Sequence, residues 1–137
     1  MGLELVTEEF TNFEAIAKIL ARFRRSGVVV AEVTPSFLLF GRRREVVELA
    51  ARNGVALVAG RLEWADAGAL MSYGTEISDL QKRAARIANR VLKGARPGEI
   101  PVERTARFEL VINDRVARGM GIAVPKSLLQ RANRGID

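Results

Sequence analysis

Short apolar runs alternate with amphipathic helical patterns along the whole chain, and this alternation constrains the fold more than any other feature. Val28 to Val33 is β-branched apart from Ala31 and Glu32, which suits a strand covered on both faces of a parallel sheet. Val55 to Val58, Gly68 to Gly74 and Arg107 to Ile112 are further strand candidates, and Leu3 to Val6 is a short one at the start. Between them lie segments with helical spacing. Thr11-Asn12-Phe13-Glu14 has the capping-box pattern and leads into Phe13, Ile16, Ala17, Leu20 and Phe23. Arg42 to Arg52 turns Val46, Val47, Leu49 and Ala50 to one side, and Asn53-Gly54 stops it. Arg61 to Asp66 reads as one helical turn, Asp114 to Met120 as a short helix, and Ser127 to Arg134 as a terminal helix after Pro125. The fold class is therefore α/β, a mainly parallel sheet with helices on both faces.

The clearest helix runs from Glu76 to Leu92, with Ile77, Leu80, Ala84, Ile87, Ala88 and Val91 as one stripe and Lys82, Arg83, Arg86 and Arg90 on the outer face. A chain of 137 residues suits one domain, residues 1–137, and a domain of this size buries roughly two thirds of its unfolded surface. The 22 basic residues exceed the 16 acidic ones, giving a net charge of +6. The arginines are spread over every helical segment and interleaved with Glu45, Glu48, Asp79, Glu99, Glu103 and Glu109, so they make solvated faces rather than the focused stripe that reads phosphates. No specific nucleic-acid partner is expected.

The chain has neither cysteine nor histidine, which removes disulfides, thiol catalysis and Cys/His zinc sites. No P-loop, dinucleotide glycine pattern, G-x-S-x-G elbow or EF-hand spacing occurs, so neither an enzyme nor a cofactor or metal is implied. No run reaches the 18 or so apolar residues of a membrane span.

The junction Gly68-Ala69-Leu70-Met71-Ser72-Tyr73-Gly74-Thr75 joins a strand to the longest helix through a glycine turn. Together with Lys93 to Glu103, Phe108-Glu109-Leu110-Val111-Ile112-Asn113 and Gly121 to Leu129, in that order, it resembles the C-terminal part of the ABC-transporter substrate-binding protein family. These are periplasmic solute receptors that include tryptophan and tyrosine binders. The resemblance extends upstream through Arg42 to Ala50 and Glu63 and covers nearly the whole chain. It implies a partial type I periplasmic-binding-protein-like lobe, with residues 1–74 as lobe core and 75–137 as crossover and C-terminal segment. A periplasmic or cell-envelope location and an ABC permease partner are implied with it. The first residues, Met1 to Val6, carry no export signal, so the chain reads as truncated at its start relative to an exported two-lobed receptor.

Candidate ligand-binding residues follow from both readings. The loop Thr34-Pro35-Ser36-Phe37 leaves a strand and enters a helix, at the carboxyl edge where α/β sheets bind ligands. Ser36 could donate to a solute carboxylate and Phe37 could cover an apolar group, or the loop could be a turn around a buried Phe37. Ser72 and Tyr73 match the family motif where the chain crosses between lobes; Tyr73 offers a ring and a hydroxyl, or simply packs at a hinge. Glu63 with Trp64 would clamp a solute amine, or serve structure alone. Arg42-Arg43-Arg44 places positive charge at a helix start, against the macrodipole, as a solvated face, a docking surface or a site for an acidic ligand.

The expected function is non-covalent capture of a small solute, an amino acid being one candidate, as the binding component of an ABC importer. The alternative is a stand-alone α/β interaction or regulatory domain without solute binding. The stripe of Glu76 to Leu92 needs cover, so a homodimer with this helix at its interface is also expected.

Overall fold

The computed structural model describes residues 4–103 and 107–137. Its strands are β1 (Val30–Val33), β2 (Ala56–Ala59), β3 (Met71–Gly74), β4 (Glu109–Asn113) and β5 (Arg134–Ile136), hydrogen-bonded in that order into one sheet. The pairs β1–β2, β2–β3 and β4–β5 are parallel and β3–β4 is antiparallel. The helices are α1 (Glu14–Arg25), α2 (Phe37–Gly41), α3 (Arg43–Arg52), α4 (Glu63–Asp66), α5 (Ile77–Leu92), α6 (Asp114–Gly119) and α7 (Lys126–Leu129).

Alternation of side chains along β2 explains why helices lie on both faces. Leu57 and Ala59 join Val33 and Val55 on one side, where Ile16, Ile19 and Leu20 of α1 and Val46, Val47 and Ala50 of α3 close the main core. Ala56 points to the other side and packs with Leu70 and with Ala117, Val116 and Met120 around α6. Near β4, a third cluster joins Leu62, Ala65 and Val111, with Ile136 of β5 against it. Each large apolar side chain buried in this way contributes about 1.5–3 kcal/mol.

Local chemistry sets several boundaries. The cap of α1 is Asn12, whose Oδ1 accepts from Ala15 N at 3.1 Å, one residue later than the Thr11 capping box suggested. Asn113, buried at the end of β4, accepts from Val116 N at 3.1 Å and turns the chain directly into α6. β3 begins at Met71 rather than Gly68, because Ala69 N still donates to Trp64 O and Gly68 turns the chain at φ +109°, which glycine tolerates.

Four sequence expectations are corrected. The run Val28–Val33 forms the sheet edge, with Val29 and Val30 exposed, rather than a strand covered on both faces. Of the expected strand Leu3 to Val6, Leu3 lies outside the described residues and residues 4–6 are not in a strand. The terminal helix shrinks to one turn, and Arg134–Ile136 pairs with β4 instead. That pairing is anchored at Asn133, whose N–H donates to Leu110 O and whose Oδ1 accepts from Leu110 N, both at 2.8 Å. Finally, the helix expected after the loop at Phe37 divides in two, Phe37–Gly41 and Arg43–Arg52, and Phe37, expected in the loop, begins the first.

Candidate solute-binding site

At the carboxyl ends of β1 and β2 the chain leaves the sheet through two loops, and a pocket of about 200 Å³ opens between them. The loop after β1 supplies Thr34, Pro35, Ser36 and Phe37, and the loop after β2 supplies Gly60 and Arg61. Phe40 and Trp64 form apolar walls. All four residues that sequence reasoning placed in the first loop thus line one cavity.

Ser36 caps α2: its Oγ accepts from Leu39 N at 3.4 Å, which leaves its own O–H free to donate. Holding the loop by this cap turns Phe37 outward, and its side chain is 95% exposed at the pocket rim. The alternative of a turn built around a buried Phe37 is therefore not what forms.

Arg61 was not anticipated. Its guanidinium lies 3.6 Å above the centre of the Phe40 ring, and it donates to Glu63 through Nη2 at 2.7 Å and Nε at 3.4 Å. Arg43 stands 4.8 Å from the same ring and donates to Phe40 O at 3.2 Å. Phe40 is thus flanked by two guanidiniums. The Arg61 hydrogen bond holds the Glu63 carboxyl below its ordinary value of 4.5, opposed by partial burial and aided by the charge of Arg43. The loop bearing Arg61 is seated by a close backbone approach: a Cβ on Gly74 would meet Gly60 O at 1.8 Å, so only glycine fits at the end of β3.

The remaining candidates lie apart from this pocket. Glu63 lines a second hollow of about 560 Å³ with Asp66, Glu76 and Glu109, and Arg134 pairs with Asp66 there at 2.7 Å. Trp64, its proposed partner in an amine clamp, is only 3% exposed and serves as wall and core. Ser72 is 0% exposed and its hydroxyl donates to Leu62 O at 3.5 Å. Tyr73 is half-exposed and stacks on Phe108, with ring centroids 5.5 Å apart, where β3 and β4 pair. The basic run is largely engaged as well: Arg42 pairs with Glu45 at 2.8 Å and covers the Phe13 ring at 3.5 Å.

The signal that could have exposed Arg61 is its spacing two residues before Glu63 in a loop leaving a strand. Its aromatic support, Phe40, is distant in sequence and needed the fold.

This geometry has relatives among solved structures. One is the ABC domain from Streptococcus pneumonia in complex with L-Trp, 25% identical, with a TM-score of 0.79 over 90% of this chain and 41% of that one. A conserved domain protein from Vibrio cholerae O1 biovar El Tor, 19% identical, gives the same TM-score over 89% of this chain and 41% of that one. The ligand-free, open structure of a substrate-binding protein with adhesive properties from Clostridium difficile, 17% identical, gives 0.67 over 99% of this chain and 45% of that one. This chain therefore spans less than half the length of each. No curated protein matches. The fold is that of a periplasmic-binding-protein-like lobe. The profile of the family described as ABC transporter substrate binding protein matches residues 1–136, and with the strand-edge pocket and the shared lobe this places the chain in the ABC transporter substrate-binding protein family.

Proposed function

We propose that the chain captures a small solute non-covalently in the pocket between the two strand-edge loops, as the binding component of an ABC import system. The observation that carries this reading is Phe37, almost fully exposed at the rim of a cavity whose other walls include Phe40, Trp64 and Pro35. Such a surface gains by closing over an apolar or planar group. Because the Streptococcus pneumonia relative holds L-Trp, an aromatic amino acid is the first solute to test. Residues 1–74 supply the lobe core with the pocket, and residues 75–137 the crossover and C-terminal segment. Tyr73 and Ser72 serve the junction between these parts, and Glu63 serves the site by orienting Arg61. The work is binding rather than catalysis. An extracytoplasmic setting and a permease partner follow from family membership.

A half-cleft leaves much of a ligand in water, so binding by this chain is weak compared with a receptor that closes two lobes. Calorimetric titration and thermal shift with aromatic, aliphatic and polar amino acids test the proposal. Saturable binding that Phe37→Ala weakens supports it. No response to any solute rejects it.

A second reading, an α/β interaction module that binds no solute, is favoured by α5, a 16-residue helix with no buried side chain. The same observation underlies the proposed homodimer, in which the stripe of Ile77, Leu80, Ile87 and Val91 is covered by a second copy. Light scattering coupled to size exclusion decides: a monomer at micromolar concentration rejects the dimer, and a dimer that binds no solute favours the interaction module.

A further inference from the structure

We propose that Arg61 is the specificity-determining residue of the pocket and that it reads an anionic group, a carboxylate, on the solute. This rests on the solute-binding reading above and deepens it.

Arg61 is a prepared donor. Its guanidinium is stacked on Phe40 at 3.6 Å and tied along its Nε/Nη2 edge to Glu63. A guanidinium held this way has little freedom left to lose when it binds. Its Nη1 has no hydrogen-bond partner among the described residues, while the side chain is 32% exposed and lines the pocket. An Nη1 amino group carries two N–H donors, so this edge is available to an acceptor.

The charges around it point the same way. Arg61 pairs with Glu63, and Arg43, outside the pocket lining, stands on the same Phe40 ring and adds a second positive charge behind it. No acidic side chain lines the pocket. Its other side-chain polar groups are the hydroxyls of Thr34 and Ser36 and the indole N–H of Trp64, a donor only, and the Ser36 oxygen already accepts from Leu39 N, which directs that hydroxyl toward donating. A wall whose charged group is a guanidinium donor, backed by a second guanidinium, favours an acceptor carrying negative charge over an ammonium. Set among Phe37, Phe40 and Trp64, the arrangement fits a small apolar or aromatic carboxylate.

The test uses matched acid and amide pairs: 3-phenylpropionate with 3-phenylpropionamide, and L-tryptophan with L-tryptophanamide, titrated calorimetrically at neutral pH. The acid of each pair should bind about tenfold or more tightly than its amide, the size of one charge-assisted hydrogen bond. Arg61→Gln should bring the two to near equality by weakening the acid alone. Arg61→Lys, which keeps the charge and loses the planar fork, should retain part of the ratio. Equal binding of acid and amide by the wild-type chain overturns the inference while leaving solute capture standing, and needs no variant to fold. An unchanged ratio in folded Arg61→Gln overturns it as well. Failure of all four compounds to bind, while another solute class does, rejects the carboxylate alone; failure of every solute rejects both proposals.

Discussion

Helices α1 and α5 carry the same kind of pattern, an apolar stripe opposite a charged face, yet the molecule treats them oppositely. The stripe of α1 is closed: Ile16, Ile19 and Leu20 are buried against α3 and the sheet. The stripe of α5 is uncovered, with no buried residue and Leu80 at 36% exposure. An amphipathic sequence therefore states a demand for cover without saying what provides it. For α1 the provider is near in the fold. For α5 the described residues leave every side chain at least partly exposed.

The comparison can be broken most sharply in the covered helix. Leu20→Ala removes a buried side chain from the main core and is expected to cost about 2–5 kcal/mol, read as a lowered midpoint in denaturant with an unchanged slope. A loss below 1 kcal/mol would mean that the core around α1 is loose and that the contrast with α5 is overstated.

Next in size is the junction between the two regions. Gly74→Ala drives a Cβ into the Gly60 carbonyl, and backbone has to move on both sides, so about 1–3 kcal/mol is expected. The same change displaces the loop carrying Arg61, and acid binding should weaken more than amide binding. Thermal melting and the paired titrations check the two consequences separately.

A smaller effect is expected from pH. The folded-state pKa of Glu63 is lowered, first by its hydrogen bond from Arg61, so its contribution is fully present above the ordinary value of 4.5 and is lost as pH falls through the lowered value. Thermal midpoints of wild type and Glu63→Gln should differ at neutral pH and converge at the acid end. Because the pair is partly solvated, added salt should shrink the difference. A gap that persists unchanged at the acid end would show that Glu63 acts by packing rather than charge.

The smallest effect belongs to the uncovered helix. At a dilution where the chain is monomeric, Leu80→Ala should change stability by no more than about 0.5 kcal/mol. A cost that grows with protein concentration would show a second copy covering the stripe, and would sharpen the comparison into one between permanent and recruited cover.

The same contrast separates what could be read from residues alone. Helices α1, α3 and α5, the strands β2 and β4, and the loop Thr34 to Phe37 were legible because caps, periodicity and turn residues are local and act within one or two turns of chain. The parallel pairing of β1, β2 and β3 followed from alternation with helices. By itself the sequence determined the α/β class, the absence of histidine and cysteine chemistry, and the demand of each apolar stripe for cover. The tertiary structure alone decided the rest. It put β1 at the sheet edge, so a β-branched run that looked fit for both faces is half exposed. It made β5 from Arg134-Gly135-Ile136, a segment with little strand character, because Asn133 and Leu110 exchange hydrogen bonds across 23 residues. It enclosed Ser72 and left Phe37 in water, and it brought Arg61 over Phe40. Each of these depends on which backbone or ring stands opposite, a partner supplied from far along the chain, and local propensity carries no information about distant partners.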